Sequence, residues 1–221
     1  MPIERKMIVK QYLLLCEGKD AEQFLIKYLN SDVLSEDQRF SNDIQIFDFG
    51  GNTDLSSFLM NLKNMDKFDQ VTSLAILRDA ENDFVKACKE VDSSLKKSGF
   101  MPPKHHGTWS NDDSGLRVGF MLFPLDNSAG TLEDLCLKIL SEKDNKSILT
   151  VINAFLNKME SSFERNYRRK HKNKLHTYLS SSDKYVSMPI GIASSAGAFD
   201  WGSNELEPLK EFLAEGFKKI D

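Results

Sequence analysis

The sequence predicts an α/β protein: a mainly parallel sheet flanked by helices, with a helical elaboration at its C-terminal end. Three observations carry that expectation. Short apolar runs alternate with helical patterns of ten or more residues, the order that builds a layered parallel sheet. Those runs stop at glycine, proline or acidic residues. No repeat and no Pro/Gly/Ser-rich linker interrupts the 221 residues, so one domain is expected over 1–221, with its core at 7–140 and the elaboration at 146–221.

The elements follow in order. Met7–Cys16 is β-rich and ends at Glu17-Gly18. Asp20 stands where an N-cap would, ahead of Ala21–Leu29, whose Phe24, Leu25, Tyr28 and Leu29 share a helical face. Ile44–Phe49 reads as a second strand turning at Gly50-Gly51, and Leu55–Met65 as a helix. Val71–Leu77 is a buried strand by its continuous apolar run, closed by Arg78-Asp79. Asn82 is placed to cap Phe84–Lys97, where Val85, Cys88, Val91 and Leu95 form one face. Met101–Ser114 reads as a mobile loop and Leu116–Phe123 as a fourth strand closed by Pro124. Thr131 followed by Asp134 starts a helix to Leu140. Lys146–Leu179 is read as mostly helical, and Leu206–Phe217 as the closing helix.

Composition narrows the classes. Charged residues at 28% and the hydrophobic set at 40% describe a soluble globular chain, and no apolar run is long enough to span a bilayer. Cys16, Cys88 and Cys136 are odd in number and far apart, which predicts reduced thiols in a cytoplasmic protein rather than a disulfide framework or zinc ribbon. The net charge is −4, but Lys158–His176 holds seven Lys/Arg against two Glu, leaving −9 for the rest. A basic segment therefore accompanies an acidic remainder.

The acids sit at predicted strand ends, where α/β sheets place their ligands. Glu17 follows the first strand, Asp79, Glu81 and Asp83 the third, and Asp126, Glu133 and Asp134 the fourth. In extended chain, residues two apart face the same side, so Asp79 and Glu81 present two carboxylates together. Oxygen ligands converging without His or Cys suit Mg²⁺ or Mn²⁺. Asp20 and Asn82 read as caps and Asp83 and Asp126 equally as caps or site residues, whereas the coincidence of Glu17, Asp79 and Glu133 at three strand ends favours function.

At these residues the chain resembles a known family. Leu15-Cys16-Glu17-Gly18-Lys19-Asp20 and Leu77-Arg78-Asp79-Ala80-Glu81 look like the two motifs of the Toprim domain of topoisomerases, bacterial primases and the overcoming-lysogenization-defect (OLD) nucleases. With Pro124, Gly130–Leu135, Lys174–Leu179 and Gly191–Asp200 added, the chain most resembles a small stand-alone Toprim-like family of unknown function. The resemblance implies a Rossmann-like Toprim fold and phosphoryl transfer on nucleic acid, most naturally phosphodiester hydrolysis. It implies Glu17 as metal ligand or general acid/base, and Asp79, Glu81, Thr131 and Glu133 as completing the Mg²⁺ or Mn²⁺ site. Lys174 is similar in position to the lysine that faces the scissile phosphate, with Lys172 close by. Glu81 departs from the usual Asp by one methylene. No P-loop is present, so an accompanying ATPase would be a separate partner.

Arg165–Lys174 holds six Lys/Arg in ten residues, and next to such a centre Arg165, Arg168, Arg169, Lys170 and Lys172 are expected to meet nucleic-acid phosphates, with Tyr167 able to stack on a base. Other features are read as structural. His105-His106 belong to an exposed loop without zinc spacing, and His171 and His176 do not align on a helix face. Ser194-Ser195 form a close-packed turn. Gly18 allows close backbone approach, and Phe120, Phe123, Phe199 and Trp201 are packing aromatics. Two other functions compete: a non-catalytic module binding nucleic acid or a partner protein, and, ranked lower, a receiver-like domain with Asp79 as phosphoacceptor.

Overall fold

The computed structural model describes residues 7–34, 43–51, 54–142 and 145–218. Its centre is a five-stranded sheet of β1 (Tyr12–Cys16), β2 (Ile44–Asp48), β3 (Ser73–Asp79), β4 (Trp109–Asn111) and β5 (Arg117–Phe123) in the order β2-β1-β3-β5-β4. All neighbours are parallel except β4, which runs antiparallel to β5 at the edge. Around it lie α1 (Gly18–Leu29), α2 (Leu55–Lys63), α3 (Phe84–Lys97), α4 (Leu132–Ser141), α5 (Lys146–Phe163), α6 (Lys170–Ser180), α7 (Ile190–Ser195) and α8 (Glu207–Gly216). No helix among the described residues is long and apolar enough to cross a membrane.

Period-two alternation divides each buried strand between two cores. Tyr12, Leu14, Cys16, Ala75, Leu77, Met121 and Phe123 face a core shared with α1, α4 and the C-terminal helices. Leu13, Leu15, Leu74, Ile76, Val118, Phe120 and Leu122 face the opposite core, closed by α2 and α3. Both faces are covered, which is why β1 is buried at every position. The C-terminal end returns to the first strand, where Tyr12 and Phe217 pack with ring centroids 5.4 Å apart.

The edge is locked by one side chain. A Cβ on Gly119 would lie 2.6 Å from the Trp109 indole, and a Cβ on Gly216 would lie 1.7 Å from it. Two bare backbones thus form a slot for the ring. Trp109 Nε1 donates to Phe212 O at 3.0 Å and the indole stacks on Phe212 at 4.8 Å. Arg117 Nη1 donates to Glu215 O (2.8 Å) and Gly216 O (3.1 Å), and Ser73 Oγ donates to Gly216 O (2.8 Å), satisfying the carbonyls at the end of α8.

Several local expectations are corrected. Gly18 adopts φ +84° and has open space where a Cβ would be, so it serves the turn rather than a close approach. That turn starts α1 at Gly18, which places Asp20 inside the helix; its Oδ1 accepts the Gly191 N–H at 2.8 Å instead of capping. Gly191 is where α7 meets α1, since a Cβ there would lie 2.6 Å from Gln23 Cβ. Asp83, not Asn82, caps α3 through the Lys86 N–H. The 101–114 segment contains β4. The long helix expected from Lys146 is broken at Glu164 (φ +52°) into α5 and α6, leaving 164–169 as a connection.

Candidate functional site

The carboxyl ends of β1 and β3 and the start of α4 bring the predicted acids to one region. Glu17 follows β1, and its N–H donates to Leu77 O at 3.2 Å. Asp79 ends β3, and its Oδ1 accepts the Leu132 N–H from the first turn of α4 at 2.9 Å. Glu81 adopts φ +54° and exchanges two backbone hydrogen bonds with Gly130 (2.8 and 2.7 Å). This bridge ties the segment after β3 to the loop that precedes Thr131. Thr131 and Asp134 form a capping box, with the Thr131 N–H on Asp134 Oδ2 at 2.9 Å. Thr131 and Glu133 are both buried.

The electrostatics report the crowding. Burial, together with Glu133, Glu17 and Glu81, pushes the Asp79 carboxyl up to about 7, against the Leu132 N–H that favours its charge. For Glu133, burial acts upward, but the Lys172 ammonium at 2.7 Å and the Thr131 hydroxyl outweigh it and hold the carboxyl below its ordinary range. One acid retains a proton near neutrality while its neighbour is held ionised by a lysine.

Arg78 is the member of this site that sequence reasoning passed over. It is 1% exposed, yet it stands in the apolar run of β3. Its Nη2 lies 3.2 Å from Glu90 Oε2, its Nε donates to Asp79 O at 3.3 Å, and Nε lies 3.7 Å from Glu17 Oε2. A buried guanidinium is retained only with such partners. The signal available was an arginine interrupting a buried strand directly before Asp79.

The basic residues separate. Lys172 reaches Glu133, whereas Lys174 lines a groove of about 450 Å³ between α4 and α5 with Asp134, Lys138 and Lys146. Residues two apart on a helix point about 200° apart. The structure therefore brings Lys172, and not Lys174, to the carboxylates. Lys170 pairs with Glu160 and donates to Asn157 Oδ1 at 2.7 Å. Arg165, Arg168 and Arg169 are exposed on the 164–169 connection and form no ion pair with another described residue. Asp126 pairs with Lys138. His106 is half-buried, and its Nε2 accepts the Leu122 N–H at 2.7 Å, so it is a packed residue rather than an exposed one.

By donor type, Glu17, Asp79, Glu81 and Glu133 fit a hard divalent cation, and Asp79 is raised first by burial and then by the neighbouring Glu133, Glu17 and Glu81. As the side chains stand, no three His, Cys, Asp or Glu among the described residues are gathered closely enough to hold an ion. Lys172 and Arg78 supply the local positive charge.

Asp79 also sets a stability prediction. The unfolded carboxyl titrates near 3.8 and the folded one near 7. Between those values the folded chain keeps a proton the unfolded chain has released, so stability falls as pH rises from about 4 to about 7. Asp79→Asn keeps an acceptor for the Leu132 N–H and removes this loss. In chelator, its urea midpoint at pH 8 is expected to exceed wild type by an amount worth about 2 kcal/mol, roughly half the full linkage value because the group is not fully buried. Equal pH slopes for the two proteins would refute the burial argument.

A family model described as "Protein of unknown function (DUF3226)" matches residues 11–218. No curated protein and no solved structure matches the chain.

Proposed function

Because the chain belongs to the DUF3226 family, whose description states no activity, we propose its function from the site itself: divalent-metal-dependent phosphoryl transfer on nucleic acid, most naturally phosphodiester hydrolysis, on a Toprim-like fold. The observation that carries the reading is the approach of acids from three separate segments to one end of the sheet, with Lys172 reaching Glu133 at 2.7 Å. The Toprim resemblance of the Glu17-Gly18 and Asp79-Ala80-Glu81 segments points the same way.

Glu17, Asp79 and Glu133 would hold Mg²⁺ or Mn²⁺, with Thr131 and Glu81 beside them. Bound there, the cation supplies Lewis acidity toward a phosphodiester. The chain's own groups do the rest. Arg78 orients Glu17, which is placed to hold or release a proton. Lys172, at 2.7 Å from Glu133, would offset charge developing on the phosphate. Arg165, Arg168 and Arg169 meet the flanking backbone, where each cation gains affinity by releasing counterions. No P-loop occurs in these 221 residues, and a separate ATPase partner is part of this reading. A cytoplasmic location agrees with three free cysteines.

One arrangement favours a second reading, a non-catalytic nucleic-acid-binding module: Lys172 already answers Glu133, and among the described residues no three potential ligands are gathered as the side chains stand. A panel of labelled DNA and RNA with Mg²⁺ or Mn²⁺ separates the two. Cleavage by the wild type, lost in Glu17→Ala and Asp79→Ala while nucleic-acid binding persists, supports the enzyme. Binding without cleavage, weakened by Arg168→Glu with Arg169→Glu and unaffected by Asp79→Ala, supports the module.

A further inference from the structure

A second cavity, of about 530 Å³, opens between the first half of α3 and residues 103–106. Phe84, Cys88 and Phe120 are among the side chains that line it, and His106 stands edge-on to both rings, at 5.1 Å from Phe84 and 6.0 Å from Phe120. The Leu122 N–H holds His106 in place, so this aromatic wall is built before any ligand arrives. Lys89 and Lys104 stand on the lining with Asp92. Asp92 is taken up by Lys96 at 2.8 Å, which leaves the lining cationic in effect. Asn127, whose side chain hydrogen-bonds His106 and keeps part of its amide capacity for a ligand, completes it.

Apolar walls with a few convergent polar groups are the build of a small-molecule site. A ligand for this one needs a flat apolar face, a hydrogen-bonding edge and a negative charge. Inorganic phosphate meets only the last of these, and an aromatic hydrocarbon only the first. We propose that the cavity binds a nucleotide, with the base against Phe84 and Cys88, its edge toward Asn127, and its phosphate toward Lys89 and Lys104. Base–aromatic contact is tolerant of sequence, so purines and pyrimidines both qualify. Phe84 lies three residues after Glu81, and Asn127 four before Thr131. The site therefore borders both segments that carry the acids, yet its occupancy does not depend on their chemistry.

The test is calorimetry of the full chain in chelator, so that cleavage plays no part. AMP and CMP are expected to bind one to one, with ribose 5-phosphate at least about tenfold weaker. Lys89→Glu with Lys104→Glu, both exposed positions, is expected to weaken AMP about tenfold and leave uncharged adenosine unmoved. Phe84→Leu is expected to weaken AMP and adenosine alike in a protein whose circular dichroism is unchanged. Displacement of AMP by a short single-stranded oligonucleotide would identify the ligand as a base of a bound strand; AMP that stays bound would identify a free nucleotide. No binding at millimolar AMP, or equal affinity for AMP and ribose 5-phosphate, overturns the proposal. Failure of the cleavage panel with AMP binding intact would sink the phosphodiesterase reading alone.

Discussion

Gly216→Val is expected to leave the chain unable to hold its native fold at 37 °C. The new Cβ would lie 1.7 Å from the Trp109 ring, deep inside van der Waals contact. The indole is also confined at Gly119, where a Cβ would lie 2.6 Å from it. Its Nε1–H is also committed to Phe212 O. Relief requires α8 to lift, which breaks the bonds from Arg117 and Ser73 to its last carbonyls. Overpacking usually costs 1–3 kcal/mol, and here about 4 kcal/mol is expected because a backbone element must move. That is a large part of the ~5–15 kcal/mol that holds a domain together. Urea unfolding of Gly216→Ala, Trp109→Leu and the double variant gives the coupling. Strong recovery in the double variant is expected; strictly additive losses would show that the slot is not the cause.

Lys172→Met is expected to lower turnover on nucleic acid by about 10²–10³-fold if the proposed activity holds, a size typical of losing one charge-stabilising group. Lys174→Met, two residues away, is expected to change it by less than about threefold, since Lys174 lines the groove with Lys138 and Lys146. Losing the partner at 2.7 Å also frees Glu133 from its main charge compensation. Binding of Mn²⁺ to Lys172→Met should therefore be no weaker than to wild type, while turnover falls. A larger loss in Lys174→Met than in Lys172→Met would return the role to Lys174 and discard the assignment made from geometry.

The parts of the fold legible in the sequence were those set by local pattern. Continuous apolar runs such as Tyr12–Cys16 announce a strand buried on both sides, and acids directly after such runs mark the end of the sheet where side chains meet. Thr131 with Asp134 is a start signal contained within four residues. What was not legible depends on distant partners. Arg78 looks like the polar end of a strand until Glu17 and Glu90 are brought to it. Lys172 and Lys174 are equivalent as a string of charges, and only the helical turn of α6 separates their directions. Gly119 and Gly216 have no turn to explain them; their reason is Trp109, across the neighbouring strand from Gly119 and distant in sequence from Gly216. Asp20 and Asn82 were assigned as caps by proximity to a helix start, and the φ of Gly18 and the reach of Asp83 decided otherwise.

The packing of Phe217 on Tyr12 has a meaning for how this protein is made. All five strands and three helices are synthesised within the first 123 residues, and β1 finds both sheet neighbours among them. The face bearing Tyr12, Leu14, Ala75 and Leu77 is completed only by residues from the C-terminal helices. At ordinary elongation rates of ~5–20 residues per second, those last residues arrive roughly 5–20 s after β5. During that interval this face of the nascent sheet has α1 against it but lacks α4 and the C-terminal helices. A chain stopped before α8 would hold a sheet with part of this face bare, the kind of surface that chaperones and proteases recognise.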